Sequence, residues 1–304
     1  MKETMVQWIL SGFLMLLCTA YSFSQKPVVA FGKIIRHEKF KSTFVKARNI
    51  DVWLPPHYDT TKRYPVLYMQ DGQMLFDSTN SWNHKEWKID ETLTELIDRL
   101  EIKACIVVGI WNDSKLRRTE YCPEKAIRYL PKALSTYFIK NRLENKLLGD
   151  DYLSFLVKEL KPFIDKTYAT LTKPENTFIA GSSMGALISM YAVCEYPDIF
   201  SSAICMSTHW PVGLENKNEN IAPYILMYLK NKIPDSKTHR FYFDYGTLGS
   251  DLNYRVYQLQ ADQYFKENNY TEINYKSLIF KGDDHSENSW SNRFSIPIRF
   301  ILKK

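Results

Sequence analysis

The apolar positions between residues 28 and 111 alternate between two periods. Val28–Ile35 and Phe44–Leu54 alternate apolar with polar residues, and Pro55-Pro56 closes the second segment. That alternation predicts an antiparallel strand pair. Pro65-Val66-Leu67-Tyr68-Met69 is continuously apolar and predicts a short buried strand running into Gln70-Asp71-Gly72-Gln73. From Asp90 to Leu100 the spacing turns helical, with Leu93, Leu96, Ile97 and Leu100 on one face. Ala104–Trp111 then returns to a near-continuous β run.

Residues 112–150 carry mixed charge and two prolines, Pro123 and Pro131. They predict an irregular insertion that covers a site rather than a linker. A helix resumes over Tyr152–Ile164, with Asp150 or Asp151 placed to cap its first turn. Strict alternation follows. Strand Thr177–Gly181 precedes helix Met184–Tyr196, and strand Ser201–Met206 precedes a helix near Tyr224–Lys230. Strand Arg240–Tyr245 precedes helix Leu252–Lys266, and strand Ile273–Phe280 precedes a loop and a last helix, Asn288–Leu302. Strands separated by helices require right-handed crossovers. The predicted architecture is therefore α/β, a mostly parallel central sheet of about eight strands with helices on both faces.

Composition changes this picture at the N-terminus. The run from Trp8 to Ala20 is almost wholly apolar and meets Ser22-Phe23-Ser24 before Gln25. Small residues at the −3 and −1 positions suit a signal peptidase. The expectation is a signal peptide over residues 1–24 and one α/β domain over 25–304. The apolar run is short for a membrane span, so no stable span is expected after cleavage and the protein is expected to be exported, periplasmic or extracellular. Cys18 is preceded by Leu17 where a lipobox needs a small residue. The remaining Cys105, Cys122, Cys194 and Cys205 show no Cys-x-x-Cys spacing and are expected as buried free thiols. The net charge of +6 comes from scattered residues, 40 basic against 34 acidic. Without a recognition motif it indicates solubility rather than nucleic-acid binding.

The strongest chemical signal is Gly181-Ser182-Ser183-Met184-Gly185, between an apolar strand and a helix that begins with Leu187, Ile188 and Tyr191 at helical spacing. A serine nucleophile on such a strand-to-helix turn has a strained backbone, and side chains two residues to either side would clash. The glycine spacing selects Ser183 over Ser182.

A serine hydroxyl needs a base. Of six histidines, only His209, His239 and His285 follow Ser183. His239 precedes a strand and lies at the wrong edge of the sheet. His209 also follows a strand and could line the pocket, against a surface or rim histidine as the plain alternative, and is the less favoured base. His285 follows the last strand and precedes the final helix, where the base belongs. For the acid, "RFYFDYGTLGSDLNYRVY" offers Asp244 within a strand pattern and Asp251 in the loop beyond it. Chain position prefers Asp251, with Asp244 the alternative. The oxyanion would take one N–H from Met184 and one from the loop "YMQDGQMLFD", with Gln73 the choice after Gly72.

The segments "VLYMQDGQMLFD", "RRTEYCP", "YLSFLVKELKPFIDKTY", "FIAGSSMGALISMYAVCEYPDIF", "FYFDYGT" and "GDDHSENSW" occur in this order. Together they resemble the esterase branch of the α/β-hydrolases that includes enterochelin esterases, feruloyl and acetylxylan esterases, formylglutathione hydrolase and the mycolyltransferases. The resemblance implies the α/β-hydrolase fold, a Ser183–Asp251–His285 triad and oxyanion donors Gln73 and Met184. It implies no metal and no cofactor. Two departures are "LGS" between Gly-Thr and Asp251, and Ala186 where glycine is frequent in the family.

The function expected is hydrolysis of a small-molecule or carbohydrate-linked ester, or a siderophore ester, through an acyl-enzyme. Acyl transfer to an alcohol by the same residues is the alternative, and a non-catalytic binding protein the third possibility. Trp82, Trp87, Trp111, Tyr121 and Trp210 fall in loops near the mouth. Of these Trp111, Tyr121 and Trp210 are the candidate substrate contacts in an aromatic-lined pocket, against core packing as the plain alternative. Arg117 and Arg118 could equally receive an acidic substrate group or make surface salt bridges.

Overall fold

The computed structural model describes residues 26–213 and 220–303. The expected signal peptide, residues 1–24, lies outside the described residues. Eight strands form one sheet: β1 Lys33–Phe40, β2 Arg48–Leu54, β3 Val66–Gln70, β4 Ile106–Ile110, β5 Thr177–Ser182, β6 Ser202–Met206, β7 Arg240–Gly246 and β8 Tyr275–Phe280. Their spatial order is β1-β2-β4-β3-β5-β6-β7-β8. β1 and β2 are antiparallel to each other, β2 is antiparallel to β4, and every later pairing is parallel. The mostly parallel sheet read from the sequence is the sheet observed.

Alternate residues of the continuous apolar runs serve two cores. Val66, Tyr68, Ile106, Val108, Ile179, Phe241 and Phe243 face one cluster. Leu67, Met69, Val107, Phe178, Ala180 and Tyr242 face the other. A strand covered on both faces reads as an unbroken apolar run because neither side chain direction meets water.

The helices that cover these faces are α1 Ile89–Asp98, α2 Arg117–Glu120, α3 Lys132–Arg142, α4 Gly149–Phe155, α5 Lys161–Thr167, α6 Met184–Glu195, α7 Ala222–Lys232, α8 Arg255–Glu267, α9 Glu287–Arg293 and α10 Ser295–Leu302. α6 is buried on every side from Met184 to Cys194, as a helix apolar all round must be. All four described cysteines are buried free thiols.

Four local expectations are corrected. β1 begins at Lys33, not near Val28. The preceding arm is held instead by carboxylates: Asp77 accepts Val28 N–H at 2.8 Å and Asp90 accepts Ala30 N–H at 2.8 Å. Gly32 then turns the chain with φ +73°. Residues 112–150 are not irregular. They contain α2, a 3₁₀ segment Glu124–Tyr129 and α3. Pro123 and Pro131 stand at the N-termini of helical turns, where no N–H is needed. The helix expected over Tyr152–Ile164 is divided by a π turn, Leu156–Leu160, before α5. Pro162 explains the widening, since its ring excludes the carbonyl four residues back and offers it no donor. Asp150 and Asp151 lie within the first turn of α4 and do not cap it; Leu148 is the N-cap. Their charge there still favours the helix dipole, and Asp150 accepts the Tyr191 hydroxyl.

Candidate active site

Ser183 joins β5 to α6 with φ 57° and ψ −123°. A side chain is rarely held in this region unless the surroundings impose it. They do so here. Ser183 N–H donates to Met206 O at 2.9 Å, and its carbonyl accepts His209 N–H at 3.2 Å. A Cβ on Gly181 would lie 2.5 Å from the backbone carbon of Gly185, and one on Gly185 would lie 3.0 Å from the Gln70 Cβ. The two glycines are therefore required by close approach. Ser182 is buried within β5, whereas Ser183 opens onto a cavity of about 410 Å³ shared with Met184, His209, Tyr254 and His285. This cavity lies at the carboxyl ends of the strands, where open α/β sheets bind ligands. A larger hollow of about 980 Å³ is bounded by Pro65, Phe178, Ser202 and Arg240, at the strands' opposite ends.

His285 lies between β8 and α9. Its Nδ1 is 2.6 Å from Asp251 Oδ1. Asp251 belongs to a 3₁₀ turn, Gly249–Asn253, just past β7, and is fully buried. Its second oxygen accepts the Ser207 hydroxyl at 2.6 Å and Gly246 N–H at 2.6 Å. Burial works to raise the carboxyl. Hydrogen bonds from His285 and Ser207, the imidazole's charge and Gly246 N–H outweigh it and hold the group below the usual carboxylate range. Asp244 sits elsewhere. It accepts Arg293 Nη2 at 2.9 Å and the Tyr242 hydroxyl at 3.0 Å inside the sheet, and burial pushes its carboxyl up despite Arg293. The imidazole thus contacts Asp251, not Asp244.

Sequence reasoning missed what stands behind Asp251. Ser207 Oγ accepts Trp290 Nε1–H at 2.9 Å and Arg293 Nη2–H at 3.0 Å. With both acceptor sites taken, its proton points to Asp251. Arg293 also donates to Asp283 through Nη1 at 2.8 Å. Ser207 at the end of β6 and Arg293 in α9 meet only through the fold, so no local spacing could have paired them.

His209 and His239 fall as expected. His239 is buried at the amino end of β7 and bonds to Pro197 O and Asp235 O. His209 lines the cavity and bonds to the Tyr254 hydroxyl at 2.6 Å. Burial, then the charges of His285, Arg118 and Arg117, bring its pKa down to about 3, so it stays neutral.

The loop after β3 forms a 3₁₀ turn, Gly72–Met74, entered through Asp71 at φ 57°. The Gln73 side-chain oxygen accepts Asn112 N–H at 3.3 Å, and Gln73 is not among the residues that line the cavity beside Ser183. Asp71 receives two parallel bonds from Arg117, each 2.7 Å, and one from Asn112 Nδ2 at 2.6 Å.

The aromatic pocket is corrected. Trp210 is fully buried, donates to Gln258 at 3.2 Å and stacks on Phe243. Tyr121 is fully buried beneath the Asp71 turn, its hydroxyl accepting Asp71 N–H at 3.4 Å. Trp111 donates to Asp51 at 2.7 Å under the Arg36 guanidinium. Burial of the large apolar area of Tyr121 and Trp210 outweighs their proximity in sequence to the mouth, and the half-buried Trp111 is turned to Asp51. None of the three lines the cavity, whose wall is polar and basic: Lys115, Arg117, Arg118 and Arg142 against Glu144.

Among curated proteins the chain is similar to "Uncharacterized protein YbbA" of Bacillus subtilis (strain 168), 28% identical over 176 residues, covering 57% of this chain and 61% of that one. The chain thus spans about three fifths of the length of the curated relatives it matches first. Solved structures with the same fold include a ferulic acid esterase, with TM-score 0.64, 17% identity and coverage of 90% of this chain and 98% of that one. They also include the enterochelin esterase of Shigella flexneri, with TM-score 0.62, 19% identity and coverage of 91% and 59%. The sheet order, the serine elbow and these likenesses make the fold that of the α/β-hydrolases. The family model described as "Putative esterase" matches residues 42–298, nearly the whole of the described chain, and the protein belongs to that esterase family.

Proposed function

We propose that the protein is a serine carboxylic-ester hydrolase in which Ser183 is the nucleophile, His285 the general base and Asp251 the carboxylate that orients and charges-balances the imidazole. The observation that carries this is the His285–Asp251 bond of 2.6 Å beside the left-handed Ser183, in one cavity. Asp251, held ionised, takes the Nδ1 proton of His285 in a hydrogen bond, which makes Nε2 the basic nitrogen. His285 accepts the Ser183 proton as Oγ bonds to the ester carbon. The carbonyl oxygen gains negative charge and is met by the N–H groups of Met184 and Gln73. Collapse of the tetrahedral species expels the alcohol, which takes the proton from His285. Water, deprotonated by His285, then attacks the acyl-enzyme, and the acid is released with Ser183 restored.

The substrate class proposed is a carbohydrate-linked or siderophore ester, in keeping with the ferulic acid and enterochelin esterases that share the fold. Residues 1–24 place the enzyme outside the cytoplasm if cleaved, and the mass of the exported protein, beginning at Gln25, checks it. No helix among the described residues is long and apolar enough to cross a membrane.

Ser183→Ala should lower kcat on a p-nitrophenyl ester by roughly 10⁴ or more. A fluorophosphonate probe should label wild type at Ser183 and leave the variant unlabelled. Unchanged turnover by the purified variant would remove Ser183 from the mechanism.

A further inference from the structure

We propose that the cavity takes an ester whose acyl or alcohol part carries a carboxylate or another anionic group, and that Arg118, with Lys115 beside it, receives that group. This rests on Ser183 being the nucleophile.

Among the described residues the wall holds the cations Lys115, Arg117, Arg118 and Arg142 and one carboxylate, Glu144. Arg117 is spent on Asp71, through two bonds of 2.7 Å. Setting one further cation against Glu144 still leaves the wall positive. Arg118 is exposed and makes no ion pair among the described residues. A solvated arginine is the ordinary explanation for such a side chain, but three observations set this one apart.

The first is its mount. Arg118 rides on α2, a single turn pinned at both ends: Arg117 bonds to Asp71, and buried Glu120 receives Arg48 Nη1 and Nη2 at 2.8 and 2.7 Å. The neighbours of Arg118 are consumed in holding the turn, while its own guanidinium is not. The second is reach. Arg118 lines the same cavity as Ser183 and His285, and its charge acts on the half-buried His209 ring that lines it too. Its field therefore extends to the reacting centre. The third is the wall itself. Met184 and the Tyr254 ring are the main apolar surfaces beside Ser183, so a large uncharged aromatic acyl group would find little to pack on. Crowded like charges in a concave, partly desolvated site raise the local potential, and an anion relieves it.

The test uses two matched ester pairs on the full-length enzyme. Mono-4-nitrophenyl adipate against 4-nitrophenyl hexanoate puts the charge on the acyl side. 4-Acetoxybenzoate against 4-acetoxybenzamide puts it on the alcohol side. In at least one pair, Arg118→Gln should lower the charged-to-neutral ratio of kcat/KM by roughly tenfold, equivalent to ~1.4 kcal/mol. Arg118→Glu should lower it further, and 0.5 M NaCl should compress the wild-type ratio through screening. The pair that responds tells which side of the scissile bond faces Arg118. Ratios in both pairs indifferent to both substitutions, with all four esters turned over, would overturn the anion site alone. Turnover of none of the four by wild type would overturn the esterase assignment, and the anion site with it.

Discussion

Asp244 and Asp251 are both fully buried and seven residues apart in one strand–loop segment, yet their partners differ in kind. Asp251 meets a histidine that can gain and lose a proton, and Asp244 meets an arginine that cannot. The two asparagine variants should therefore separate. Asp251→Asn should reduce kcat by about 10⁴, because the amide favours the wrong tautomer of His285, with the fold retained. Asp244→Asn leaves the Arg293 guanidinium buried with only Asp283 as counter-charge, and should cost ~3 kcal/mol of stability. Activity assays and urea melts on both proteins check this; the opposite pattern would make Asp244 the orienting acid. The glycine spacing had singled out Ser183, and the loop after β8 had singled out His285. Both signals are local because the turn and the strand end are local. Ser207 and Arg293 were illegible because a hydroxyl and a guanidinium acquire meaning only from what they touch.

At the scale of the element, the β5–α6 turn shows why the motif needs its glycines. The Gly181 Cβ position collides with the backbone of Gly185, which has nowhere to move. Gly181→Ala should thus destabilise the protein by more than ~2 kcal/mol. Gly249 also has a left-handed backbone, φ +60°, but nothing lies within 4 Å of its Cβ position. Gly249→Ala should cost only the conformational term, ~1 kcal/mol. Thermal melts of the two variants test the ordering, and equal losses would mean that steric closure at the elbow is not what the glycine protects. Elements also explain the aromatic residues. Tyr121 and Trp210 come from loops in sequence, but those loops fold back under the sheet's carboxyl edge and become core. Hydropathy could not separate a tryptophan facing a pocket from one facing a core, since either fate removes it from water.

At the scale of the whole molecule, the N-terminal arm is tied to α1 by the Asp90 carboxylate, which accepts Ala30 N–H at 2.8 Å and Phe31 N–H at 3.2 Å. Burial first, and then the neighbouring Glu91, raise Asp90 to about 7. The sign follows from proton binding. Between pH ~4 and ~7 the folded state holds a proton on Asp90 that the unfolded chain has released, so this group's contribution favours folding at low pH and is lost as pH rises through 7. Asp90→Asn keeps an acceptor for the arm and removes the charge. It should stabilise the protein at pH 8 by on the order of 1 kcal/mol and flatten the slope of stability between pH 5 and pH 8. Urea denaturation at the two pH values measures it, and an unchanged slope would show that Asp90 does not titrate in this range.

The pattern of residues alone determined the mostly parallel sheet with its antiparallel start, the strand–helix alternation from Thr177 onward, the serine elbow and the histidine after the last strand. Each of these is written in near neighbours: a period of two or of 3.6, two glycines around a serine, or a strand end followed by a loop. Only the tertiary structure decided which aspartate meets the imidazole, that Ser207 stands behind it, that Tyr121 and Trp210 belong to the core and that the cavity wall is basic. Those are matters of which distant side chains share a small volume. Packing decides that globally, because burial of every large apolar group and pairing of every buried charge must be met at once.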